Sequence, residues 1–320
     1  MARATAVVLA LMLGMLGSSA CTPDSGNRDT NDAEDGVDSL PVTPLDRAAL
    51  EQAMGRTARE LDGGVLRFGM PRSDLRVTVD GVRIAPALAL GSWVAFKATP
   101  HGAIAMGDMV VLDTELSPVL SRLQEAGIEQ SAIHHHLIRE SPRVLYMHVH
   151  AHGDPVQIAE GVRAALELTA TPAAAPASTS APAEAFALDT AAIGTEIGFS
   201  GTVSGGVFHV GVPRAETVRD AGMEIPPTMG LSTALNFQPT GGGRAAITGD
   251  FVLVATEVNP VIRVLRANGI EVASVHNHLL MDEPRLFFLH FWANDEAVSL
   301  ARGLRAALDS TNSRRPAATR

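Results

Sequence analysis

Residues 106–168 read MGDMVVLDTELSPVLSRLQEAGIEQSAIHHHLIRESPRVLYMHVHAHGDPVQIAEGVRAALEL, and residues 248–310 read TGDFVLVATEVNPVIRVLRANGIEVASVHNHLLMDEPRLFFLHFWANDEAVSLARGLRAALDS. The two stretches align without a gap at a constant offset of 142, and 25 of 63 positions are identical. A copied unit must repeat its register, so a tandem duplication sets the domain plan before any propensity is consulted. The pairs held in both copies include Gly107-Asp108 with Gly249-Asp250, Glu115 with Glu257, and Pro118 with Pro260. They also include His134 and His136 with His276 and His278, Pro142-Arg143 with Pro284-Arg285, and His148 with His290.

Each copy carries the same order of local signals. An opening helix (Leu45 to Leu61; Leu188 to about Ile197) precedes a strand with Gly64-Val65 and Pro71-Arg72, matched by Gly206-Val207 and Pro213-Arg214. Further strand-like runs follow, among them WVAFKAT and MVVL in the first copy and LNFQPT and FVLV in the second. A helix comes next, with Ser117 or Asn259 as its cap, Pro118 or Pro260 at its first position, and Gly127 or Gly269 at its end. Two strands joined by a short turn at Ser141-Pro142 or Glu283-Pro284 and an alanine-rich helix close the unit. Strands and helices mixed in this way predict an α+β fold: a duplicated unit of roughly 120 residues, each an antiparallel sheet packed against two or three helices.

The predicted layout is a signal segment over 1–21, a disordered tether over 22–44, repeats over 45–168 and 188–308, a linker over 169–187, and a tail over 309–320. The signal shows in the charged start Met1-Ala2-Arg3, the apolar run from Ala4 to Leu16, and the small residues before Cys21. That apolar run is too short to be a bilayer span after cleavage. Cys21 is the only cysteine, so disulfides are excluded. Its position resembles a bacterial lipobox, with Ser18 where a leucine is usual; the alternative is an ordinary secretory signal cut nearby. The tether is rich in Asp, Asn, Ser, Gly and Pro, and the linker contains TATPAAAPASTSAPA; neither can bury much apolar surface.

The net charge is −10 for the whole chain, and removal of Arg3 makes it −11. No basic cluster accompanies this acidity, which argues against a nucleic-acid partner. His276-Asn277-His278 spells a nuclease motif, but neither that motif's fold context nor a basic surface surrounds it.

The chemistry is concentrated in HHHLIRESPRVLYMHVHAHG, residues 134–153. Side chains alternate along a strand, so His134 and His136 share a face, as do His148, His150 and His152. An antiparallel register with His134 opposite His148 brings five imidazoles together. Neutral imidazoles converging in this way suit a divalent transition metal, zinc before copper or iron. Glu140 completes a His-x-His-x-x-x-Glu spacing as a ligand or general base, and the second copy offers His276, His278, His290 and Glu283. The spacing resembles the first cupin metal motif, although the helices argue against that all-β fold. The alternative is that these histidines bond carbonyls and carboxylates, a reading favoured by the loss of His150 and His152 to Trp292 and Asn294.

Asp108 and Asp250 read as turn residues rather than general bases, and Glu115 and Glu257 as carboxylates favoured by a helix dipole. Arg143 and Arg285 suit an anionic ligand or a neighbouring carboxylate.

These motifs together resemble the LppY/LpqO family of bacterial lipoproteins. The resemblance rests on EVNPVIRVL, GIEVASVHNHLL and EPRLFFLH in the second copy and on ELSPVLSRL and MHVHAHGDP in the first. It implies a duplicated domain and an exported, often lipid-anchored protein, which would meet a membrane only through Cys21; it implies no activity. Two functions follow as expectations: a metal-dependent envelope hydrolase using His134, His136, His148 and Glu140, or a non-catalytic protein that binds a metal ion or an envelope ligand.

Overall fold

The computed structural model describes residues 41–173 and 186–314. The expected signal segment, Cys21, nearly all of the tether, the centre of the linker and the end of the tail lie outside the described residues. Among those described, no helix is long and apolar enough to cross a membrane.

The first repeat runs α1 (Arg47–Met54), β1 (Arg59–Leu61), β2 (Val65–Pro71), β3 (Thr78–Val79), β4 (Val82–Arg83), α2 (Pro86–Ala89), β5 (Gly91–Thr99), β6 (Gly102–Leu112), α3 (Asp113–Glu125), β7 (Glu129–His134), β8 (Val144–Gly153) and α4 (Pro155–Leu166). The second repeats it with α5 (Thr190–Ile197), β9 (Thr202–Ser204), β10 (Val207–Pro213), β11 (Val218–Asp220), β12 (Met223–Ile225), β13 (Ser232–Gly241), β14 (Arg244–Val254), α6 (Ala255–Ala267), β15 (Glu271–His276), β16 (Asp282–Glu283), β17 (Leu286–Glu296) and α7 (Ala297–Leu308). Each repeat builds a six-stranded antiparallel sheet, in the order β1-β2-β5-β6-β8-β7 and its equivalent β9-β10-β13-β14-β17-β15.

Both faces of these sheets are buried, which explains why β6 and β14 read as near-continuous apolar runs. In β6, Ala105, Met109 and Val111 face the helices of their own repeat, in a core shared with Leu50, Leu123 and Val162. Ile104 and Met106 face the other way, in a core shared with Val252, Leu286 and Phe288 of the second repeat. A further core joins Val110, Val144 and Tyr146 to Val207 and Trp292. The order is therefore helices, sheet, sheet, helices, with the two repeats face to face. Their α+β class and duplicated antiparallel sheets are as the alternating signals predict.

Several local expectations are corrected. The opening helix stops at Gly55, whose φ of 63° is left-handed, and residues 59–61 form an edge strand rather than more helix. The central helices start earlier than their prolines suggest. Glu115 and Glu257 accept from the Leu112 and Val254 N–H groups at 2.9 Å, which moves each start to Asp113 and Ala255 and leaves Pro118 and Pro260 inside the helix. The same two carboxylates clamp Arg72 and Arg214, both buried, at 2.7 and 2.6 Å. The expected structural role of Glu115 and Glu257 thus takes the form of a cap joined to a buried ion pair.

The connection after β7 is a loop over residues 135–143 rather than a short turn. The strand register also differs from the expected one by two residues, with His134 opposite Tyr146 and Ala132 opposite His148, and a bulge between Gln130 and Ala132 shifts the pairing by one. The bulge recurs between Val272 and Ser274. It has a consequence for the site: the extra residue reverses the alternation, turning His134 and His276 toward the opposing sheet.

Candidate metal centre

His148 on β8 and His290 on β17 occupy equivalent positions, each beside an aspartate on the neighbouring strand, in the pairs Asp108↔His148 and Asp250↔His290. All four side chains point into the space between the sheets. Asp108 and Asp250 are therefore mid-strand residues at the site, not turn residues. The glycine before each aspartate is required by packing. A Cβ on Gly107 would lie 2.4 Å from the Trp93 carbonyl oxygen, and one on Gly249 1.8 Å from that of Ala234.

His134 and His136 enter the same space from the end of β7, and His276 and His278 from the end of β15. The two sets interleave. His134 stacks on His276 with ring centroids 3.7 Å apart, while His136 meets His290 at 3.8 Å and His148 meets His278 at 3.9 Å. These last two contacts are the same contact under the exchange of repeats. Tyr146 covers His136 at 3.5 Å, and its counterpart Phe288 covers His278 at 3.3 Å. The centre is thus one cluster of six histidines and two aspartates, shared equally by the repeats.

The hydrogen bonds orient its rings. His148 Nδ1 donates to the Gly107 carbonyl at 3.2 Å, His290 Nδ1 to that of Gly249 at 2.6 Å, and His278 Nδ1 to that of Gly230 at 3.1 Å. A carbonyl can only accept, so each of these rings, when neutral, keeps its lone pair on Nε2, which is turned inward. An imidazole anchored through one nitrogen and bare at the other is the usual arrangement of a metal-ligating histidine. His278 Nε2 and His290 Nε2 have no hydrogen-bond partner, nor do His134 Nδ1, His276 Nδ1, Asp108 Oδ1 and Asp250 Oδ1. Each such buried atom costs about 1–3 kcal/mol, so together they rival the 5–15 kcal/mol by which a typical domain is stable.

Charge reinforces the point. Burial pushes His134, His278 and His290 well below the ordinary histidine range, and neighbouring histidines push them further. His276 is pushed down to about 2 by burial and then by His148 and His136. Burial also lowers His148. Burial, followed by the charge of Asp108, raises the Asp250 carboxyl far above its usual range. Burial opposes ionisation of Asp108 as well, but His148 and His136 outweigh it and hold that carboxyl low.

His278 Nε2 lies 3.1 Å from Asp250 Oδ2, and His136 Nε2 lies 3.1 Å from Asp108 Oδ2. At His278, whose Nδ1 is tied to Gly230, the Nε2 lone pair faces the Asp250 carboxyl, and a proton or a metal ion between them satisfies both. Within the cluster, three groups have donor atoms within 4.8 Å of one another: His134 with His276 and His290, His148 with His276 and His278, and Asp108 with His134 and His148. These groups can hold a metal ion.

The remaining expected residues lie elsewhere. Glu140 faces His135 at 3.7 Å, in a surface pocket that Arg139 and Arg143 also line, and does not reach the cluster. Its counterpart in the second repeat is Asp282, not Glu283. Arg143 touches His135 at 2.8 Å, while Arg285 is paired with Asp282 at 2.9 Å and bonds two loop carbonyls. His150 and His152 face Asp220 of the second repeat, so the five imidazoles of the first repeat divide between two places. Sequence reasoning treated the second-repeat histidines as a copy of the site, whereas they are its other half. It also read Asp108 and Asp250 as turn residues, although their presence in both copies was the available signal.

The chain belongs to the family described as Domain of Unknown Function (DUF1259), whose model matches residues 48–168 and again residues 191–310. Two solved structures are similar over 78% of this chain and 90% of theirs, each at 10% identity: a trimeric bacterial microcompartment shell protein PduB, with a TM-score of 0.19, and EtuB from Clostridium kluyveri, with a TM-score of 0.18. TM-scores this low carry no inference for the present chain. A comparison with curated proteins finds no match.

Proposed function

We propose that this protein is a metal-binding protein of the bacterial cell envelope, in which the two repeats close around a shared histidine centre. The observation that carries the reading is the set of three imidazoles, His148, His278 and His290, tethered to carbonyls through Nδ1, with the inward Nε2 bare on His278 and His290 and 3.1 Å from His276 Nε2 on His148. Nitrogen-rich ligation with carboxylates at the margin suits zinc first, with copper and iron as the alternatives. The burial of the cluster and the distance of Glu140 from it favour holding an ion over hydrolysis. A hydrolytic reading rests on His136, whose side chain is 18% exposed and marks where water could reach an ion.

Export and lipid attachment at Cys21 belong to this proposal on the strength of the N-terminal sequence and the resemblance to the LppY/LpqO lipoproteins. The testing experiment is elemental mass spectrometry on untagged protein purified without chelator, beside His136→Ala/His278→Ala. The proposal expects near-stoichiometric metal in the parent and its loss in the variant. A parent that carries no metal and takes up none at micromolar concentration would refute it.

A further inference from the structure

His150 and His152 lie on the same face of β8 as His148 but outside the six-histidine cluster. Their third neighbour comes from the other repeat. Asp220, the last residue of β11, places Oδ2 2.9 Å from His150 Nε2 and 3.5 Å from His152 Nε2. Asp220 is buried, with 1% exposure, and neither its Oδ2 nor His150 Nε2 has a hydrogen-bond partner. These two atoms are therefore close without being aligned to share a proton. The separations of 2.9 and 3.5 Å lie on either side of the roughly 3.3 Å between neighbouring ligand atoms around a tetrahedral ion with bonds of about 2.0–2.1 Å.

The duplication supplies an internal control. Thr78 pairs with Ser141, and Arg219 pairs with Glu283, two residues at the repeat offset, so the position equivalent to Asp220 is Val79. Val79 packs in an apolar core with Trp292, the counterpart of His150, while Asn294 stands for His152. The same scaffold thus holds valine, tryptophan and asparagine at one end and aspartate, histidine and histidine at the other. Packing alone is satisfied by the first set, so all three polar residues together point to a ligand.

We infer that His150, His152 and Asp220 form a second metal site, built once per chain, for a divalent cation of the zinc, copper or nickel class. The His152 side chain is 39% exposed, so coordination positions on that side remain open to water and the ion exchanges readily.

The test is a zinc titration of the full chain after chelator treatment, with bound equivalents counted by native mass spectrometry and affinity read by competition with a chromophoric chelator. Asp220→Asn and His152→Ala are each expected to lose one equivalent, or to weaken it at least tenfold, while retaining the zinc of the central cluster. His136→Ala/His278→Ala is expected to keep the equivalent that Asp220→Asn removes. If folded Asp220→Asn and His152→Ala both bind as many zinc ions as the parent, with unchanged affinity, the second site is refuted. If they lose an ion while the central double variant loses none, the second site stands and the proposed central centre fails.

Discussion

His148 and His276 meet Nε2 to Nε2 at 3.1 Å, although 128 residues and a duplication separate them. Each is the counterpart of a residue that makes a different contact: His290 has a bare Nε2, and His134 has its Nε2 3.0 Å from His136. The cluster is therefore continuous across the interface between repeats: two of its three ligand groups draw on both repeats, and Asp108, His134 and His148 make the third within the first repeat.

Because the cluster is shared, a single-repeat lesion should impair the whole centre. His276→Ala alone is expected to lower metal affinity at least as much as His134→Ala, by about 10–100-fold or more, since even outer-shell lesions reach that range. Titration of both variants with zinc measures this, and retention of parental affinity by either would contradict a shared centre.

Glu140→Gln is expected to leave metal content unchanged, because Glu140 faces His135 rather than the cluster. Elemental analysis of this variant beside the parent decides the matter. Loss of metal would restore Glu140 as a ligand.

The metal-free protein should lose stability as the pH falls. His134, His148, His276, His278 and His290 have folded pKa values below the unfolded value, so the unfolded chain binds more protons below about pH 6.5 and stability declines there. Asp250 acts in the opposite sense, since its raised folded pKa stabilises the fold at acid pH and that contribution is lost as pH rises through it. Each group contributes up to about 1.4 kcal/mol per pH unit, and five histidines outweigh one carboxyl. Melting of chelator-treated protein should fall by about 10 °C or more between pH 7.5 and 5.5. A flat profile would mean that the histidines are not held neutral.

Arg72 tests the scaffold rather than the centre. Its guanidinium bonds the Val110 carbonyl, Glu115 and Asp74. Arg72→Met would strand these acceptors and should cost about 3–5 kcal/mol, the usual loss on breaking a buried pair. Urea denaturation of the metal-free protein reads it directly.

Gly249→Ala should be more damaging than Gly107→Ala, because its Cβ would lie closer to a backbone oxygen, 1.8 Å against 2.4 Å. Both displace carbonyls that anchor a ring, so loss of soluble protein or of metal is expected, in that order of severity. Expression yield and metal content measure it.

Much of this was legible in the chain itself, for physical reasons. A gapless copy carries its own register, so the repeats, the antiparallel sheets and the glycines ending α3 and α6 could be read from spacing alone. The position of Pro118 was a weaker guide to the start of α3 than Glu115, because a carboxylate that caps the backbone and pairs with Arg72 stabilises an earlier start. Local alternation placed His148, His150 and His152 on one face correctly, but it could not say what that face meets. The face of β8 meets the second repeat, whose sheet supplies His276 and His278 at one end and Asp220 at the other. Sequence periodicity reports which side of a strand is buried, whereas the identity of the residues across the interface depends on how two surfaces dock. The pattern thus determined the repeats and their histidines, and only the tertiary structure decided that two copies of a motif make one centre.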